Sequence, residues 1–120
     1  MAVADIKELS ERGIDLFNDG RFFECHEVWE QAWLRSSGEP KLFYQGMIQA
    51  AVAILHSQRG NLAGSRTLWA KARDKLERLP AEYNSIALES LRVRLAEFFD
   101  QVLSGANAAV EPPKIERITH

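Results

Sequence analysis

Gly20, Trp29 and Ala32 recur about 40 residues later as Gly60, Trp69 and Ala72. A glycine followed at helical intervals by an aromatic and a small residue describes a turn and the inner face of the helix after it. Repeated once, the pattern restricts the chain to helix pairs, each joined through a glycine turn and stacked on the next. A strand-built fold would need sustained alternation with a period of two, and no segment has it. The fold class is therefore all-α.

The individual elements follow from apolar spacing and its interruptions. Ile6, Leu9, Gly13 and Phe17 predict a first helix from about Ala4 to Asn18, closed by Gly20. The second starts near Arg21 and ends at "SSGEP", where Gly38 and Pro40 break it. The third spans about Lys41 to Arg59, and Asn61 is placed to cap a fourth that carries Trp69, Ala72, Leu76 and Leu79 up to Pro80. Asn84 or Ser85 caps a fifth, whose Leu88, Leu91, Leu95, Phe98, Phe99 and Val102 form a broad apolar stripe. Short turns make neighbours antiparallel, so the architecture is two stacked antiparallel hairpins plus a C-terminal helix. Each hairpin loosely resembles the tetratricopeptide unit, although the period is too long and the full set of small residues is missing.

Residues 1–103 form a single domain on this reading. From 104 to 120 the helical period is lost and two prolines adjoin, which predicts an extended or partly disordered tail packed through Ile115 and Ile118. His120 is then an exposed end.

At 120 residues the chain can hide roughly two-thirds of its unfolded surface, enough for a core without disulfides. A net charge of −2, with both signs spread along the chain, gives no field for phosphate backbones and excludes nucleic acid as an expected partner. The single cysteine and the absence of a basic-then-apolar leader place the protein in the cytoplasm. The longest nearly apolar run, "GMIQAAVAIL", falls well short of the roughly 20 residues needed to span a membrane. No membrane is expected.

The chemistry concentrates in "ECHEVWEQAW", residues 24–33. At about 100° per residue, Phe22, Trp29 and Trp33 lie on one side of His26, and Phe23, Glu30 and Leu34 on the other. This wheel puts His26 and Glu30 in the middle of an apolar face, with Glu27 at its margin and Glu24, Gln31 and Arg35 in solvent. A carboxylate turned into a core loses hydration worth several kcal/mol unless it is protonated, paired or bound to a cation. On the third helix Gln45, Gln49 and His56 share one narrow polar line, and an antiparallel register brings that line to the polar centre of the second helix.

Two imidazoles and one carboxylate are a common set of protein ligands for a divalent metal, with zinc, iron, manganese or nickel all compatible by donor type. The predicted ligands are His26, Glu30 and His56. Gln45, Gln49 and Trp33 surround them and orient them by hydrogen bonds, and Glu27 is the candidate general base for hydrolysis. A competing reading needs no metal: Glu30 pairs with a protonated histidine inside a buried network completed by the glutamines, in a non-catalytic interaction module. Whether the chain is an enzyme stays open between them. Cys25 lies about 100° from His26 and reads as a packed side chain rather than a nucleophile.

"HEVWE" has Glu30 where a zincin protease has its second histidine, and no protease is expected. His26, Glu30 and Trp33 spell HxxxExxW, and "FNDGRFFECHEVWEQAW", "FYQGMIQAAVAILH" and "GNLAGS" follow in order. Over about residues 9 to 80 this closely resembles the bacterial and archaeal family known as domain of unknown function 309. The resemblance implies a small helical protein whose His26, Glu30 and Trp33 belong to a motif suspected of metal binding, with no established reaction. It leaves open a small-molecule or protein partner. The apolar stripe of the fifth helix adds room for a homodimer.

Overall fold

The computed structural model describes residues 4–105 and 110–119. Five helices follow in order: α1 (Ile6–Asn18), α2 (Phe22–Leu34), α3 (Gly38–Gln58), α4 (Leu62–Leu76) and α5 (Leu88–Leu103). Between α4 and α5 lies a hairpin of two short strands, β1 (Glu82–Tyr83) and β2 (Ile86–Ala87). The helices pack in sequence, α1 on α2, α2 on α3, α3 on α4 and α4 on α5, as stacked antiparallel pairs do. Among the described residues no helix is long and apolar enough to cross a membrane.

The 40-residue repeat is physical. Gly20 and Gly60 both take positive φ, 78° and 79°, the left-handed turn that closes α1 and α3 without a Cβ penalty. Trp29, Trp69, Ala32 and Ala72 are all buried. A less visible pair repeats with them. Cys25 Sγ donates to the Gly13 carbonyl at 3.3 Å, and Ser65 Oγ donates to the Ala53 carbonyl at 2.8 Å. Both tie the second helix of a hairpin to the backbone of the first at matching positions. Cys25 is thus a packed donor, and burial pushes its thiol pKa up, far from reactive.

Three local features depart from the sequence reading. Pro40 stands inside the first turn of α3, which begins at Gly38 rather than Lys41; a proline there removes an N–H that has no helical partner in any case. Asn84 and Ser85 do not cap α5. They form the two-residue loop of the β hairpin, both with positive φ (52° and 60°), which matches the twist of the strands. Ala87 occupies the N-cap of α5, without a side-chain bond.

The chain from Val110 runs extended across α1 and the hairpin. Asn18 holds Ile115 by two bonds, Nδ2 to its carbonyl at 3.0 Å and Oδ1 from its N–H at 2.7 Å. The Ala87 N–H donates to the Glu116 carbonyl and the Ile118 N–H to that of Ser85, so the strand edge is covered. Ile115 is buried and Ile118 half-buried. Arg117 bridges Glu11 and Asp15 of α1, and the Asp15 carboxylate raises its pKa. His120 lies outside the described residues.

Candidate functional site

The buried face of α2 consists of Phe22, Cys25, Val28, Trp29 and Ala32. Its centre is rotated by about 100° from His26, so His26 and Glu30 sit at the edge of the core and not within it. The side chain of His26 is 28% exposed and that of Glu30 53%. Phe23 at 49% and Leu34 at 66% exposure are the residues that displaced the sequence-based wheel. Large apolar side chains weigh heavily in such an average; the fully buried Cys25 and Ala32 weigh little, yet they face inward where neighbouring backbones come close.

What α2 does present is an imidazole–carboxylate pair. His26 Nε2 lies 3.4 Å from Glu30 Oε2, at the i,i+4 spacing that stacks two side chains on one helix face. His26 Nδ1 lies 3.2 Å from the Phe23 carbonyl. A carbonyl only accepts, so Nδ1 carries the proton and Nε2 is left to face the carboxylate. A bare lone pair facing a carboxylate is unfavourable. The pair is open to solvent, so water reaches Nε2 as well as the carboxylate.

His56 is not grouped with the pair among the described residues. The Asn61 side chain caps α4, its Oδ1 accepting the Gly64 N–H at 3.0 Å, which fixes the orientation of the amide. Asn61 Nδ2 is then 3.3 Å from His56 Nδ1. An amide nitrogen donates, so His56 Nδ1 can accept from Asn61 there. Among the described residues, no three His, Cys, Asp or Glu side chains come together as a metal site.

The surrounding positions also differ from expectation. Trp33 Nε1 and Gln49 Oε1 are buried without a hydrogen-bond partner among the described residues, so Trp33 does not donate to Gln45. The Trp33 ring instead carries Lys41 Nζ at 4.5 Å from its centroid, a cation–π contact across the α2–α3 turn. Glu27 is exposed and faces a shallow groove of about 520 Å³ on the α1 side, with Arg12, Arg21 and Glu24, away from the pair. Arg21 forms an ion pair with Glu24 there.

The exposure of Glu30 has a direct consequence for stability. A buried network would lose several kcal/mol on Glu30→Ala, whereas an exposed i,i+4 pair contributes under ~1 kcal/mol. Urea denaturation of Glu30→Ala should show only the smaller loss. A loss of ~3 kcal/mol or more would restore the buried-network reading.

Geometry thus defines the class: a small all-helical protein of stacked antiparallel hairpins, with a solvent-facing imidazole–carboxylate pair at the edge of its second helix. Residues 10–68, from within α1 into α4, match the family described as domain of unknown function (DUF309). An uncharacterized protein of Bacillus subtilis (strain 168), YpuF, is 36% identical over 66 residues, covering 54% of this chain and 36% of its own length. An uncharacterized protein of Aquifex aeolicus (strain VF5) is 27% identical over 110 residues, 91% of this chain and 32% of its own. The chain therefore spans about a third of the length of these relatives.

Proposed function

We propose that this helical module binds one divalent cation through two protein donors, His26 Nε2 and Glu30 Oε2, with water or a partner's donor completing the coordination. The observation that supports it is the geometry: with Nδ1 3.2 Å from the Phe23 carbonyl, Nε2 stands 3.4 Å from the Glu30 carboxylate. An outer hydrogen bond of this kind is the usual support of a ligating imidazole. Zinc, iron, manganese and nickel all accept one imidazole and one carboxylate. Glu27 stands on another face of α2, and hydrolysis forms no part of this reading.

Isothermal titration of untagged, chelator-stripped protein with zinc tests it. One equivalent should bind to the parent protein and to His56→Ala and Glu27→Ala, and none to His26→Ala or Glu30→Ala. Binding that survives His26→Ala, or that needs His56, would refute the two-donor site.

One observation favours a second reading, a non-catalytic interaction module: Phe23 and Leu34 leave apolar surface exposed on the same face as the pair. Zinc binding lost on His26→Ala but untouched by Phe23→Ser separates the two.

A further inference from the structure

A cleft lies away from the His26–Glu30 pair. It has a volume of about 690 Å³ and opens between the start of α1, the N-terminus of α3 and the β hairpin. That volume suits a small organic ligand. Its walls are aromatic: Phe43 and Tyr44 meet edge to face with centroids 5.2 Å apart, and Tyr83 lies against Phe43 at 5.0 Å.

Four observations give the cleft a chemical preference. Tyr44 is only 4% exposed and lines the cleft, and its hydroxyl, which makes no hydrogen bond to another described residue, is open to the cleft and can donate there. The N-terminus of α3 opens into the same space: Ser37 stands at the N-cap and lines the cleft, but its side chain makes no cap bond, so first-turn N–H groups keep their partial positive charge. Lys7, also on the wall, forms no ion pair among the described residues, and Arg35 adds a second cation whose Nη1 donates to the Ala4 carbonyl.

Of the charged side chains that line the cleft, Lys7 and Arg35 are cations, and the Glu11 carboxylate is held by Arg117 at 3.0 Å. Glu39, in the first turn of α3, stays a negative charge beside Tyr83, whose phenol pKa is raised first by burial and then by that carboxylate. The cleft wall itself therefore carries an excess of positive charge. Its floor is apolar.

We propose that this cleft binds a small organic anion, a carboxylate or phosphate ester on a flat apolar body, with the anionic group toward Lys7 and the α3 N-terminus and the Tyr44 hydroxyl donating to it.

Titration of the full chain with phenyl phosphate and with benzoate, followed by isothermal calorimetry, tests the proposal. Either probe should bind with a Kd of about 1 mM or tighter, the range open to ligands of this size. Benzyltrimethylammonium, of similar size and opposite charge, should not bind. Tyr44→Phe and Lys7→Ala should each weaken binding about fivefold while leaving the melting temperature unchanged, since neither group has a partner to lose. No binding of either anion, equal binding of the cation, or affinity untouched by both substitutions would overturn the site. Inorganic phosphate binding as tightly as phenyl phosphate would overturn the requirement for an apolar body.

Discussion

Gly13→Ala is expected to destabilise the protein by ~3 kcal/mol, at the upper end of what overpacking costs. Helix propensity alone gives the opposite sign, because alanine inside a helix is favoured over glycine by about 1 kcal/mol. Geometry outweighs it. A Cβ at Gly13 would stand 1.9 Å from Trp29 Nε1 and 2.3 Å from its Cδ1. The indole cannot move aside cheaply, since it is 1% exposed, donates from Nε1 to the Ser10 carbonyl at 3.2 Å and packs against Phe17 at 6.0 Å. Gly13 cannot retreat either, because its carbonyl accepts from Cys25 Sγ. Urea denaturation followed by far-ultraviolet circular dichroism measures the loss. Adding Trp29→Leu to the Gly13→Ala variant should cost much less than Trp29→Leu alone, because the clash disappears with the ring. A Gly13→Ala protein as stable as the parent would mean that α1 and α2 are not in contact here.

The same contact shows what could be read in the sequence. Gly20, Trp29 and Ala32 and their counterparts forty residues on revealed the stacked hairpins, because a turn glycine and a large aromatic at fixed spacing have few other uses. That Gly13 seats Trp29 was not legible: a glycine in mid-helix carries no sign of which neighbour needs its space. The inner face of α2 was misplaced for a related reason. Cys25 and Ala32 are the innermost residues, but close helix approach selects them for small size, while Phe23 and Leu34 dominate any hydropathy average from the solvent side. The pair itself, His26 with Glu30, was legible from spacing alone. His56 lies against Asn61 at the turn into α4 and is not grouped with the pair. Asn61 was visible as a cap, yet a cap uses only the amide oxygen, and the direction of the remaining N–H toward the His56 ring depends on three-dimensional placement. In "EYNSIA" the Asn–Ser turn was taken for a helix cap because strands of two residues are too short to alternate. The strands are fixed instead by the C-terminal segment, which pairs with the hairpin from far along the chain.

Phe99→Ala should cost ~3–5 kcal/mol, the usual range for removing a fully buried aromatic ring. Phe99 is 1% exposed, stacks on Trp69 with centroids 4.7 Å apart and planes at 20°, and meets Phe98 edge to face at 5.0 Å. It is the point at which α5 is keyed into α4. Collapse around the missing ring is restricted from two sides. Arg92 Nη1 of α5 donates to the Leu76 and Leu79 carbonyls at the end of α4, and Leu91 and Leu95 are already fully packed. The cavity therefore stays largely open, and the near-ultraviolet circular dichroism of Trp69 should weaken along with stability. Val93, exposed on the outer side of the same helix, supplies the control: Val93→Ala should shift stability by no more than ~0.5 kcal/mol. The experiment also decides what covers the α5 stripe. Leu88, Leu91, Leu95, Phe98 and Phe99 are buried within a single chain, so the loss on Phe99→Ala should not depend on protein concentration. A small loss, or one that grows on dilution, would show that the stripe packs against a second copy.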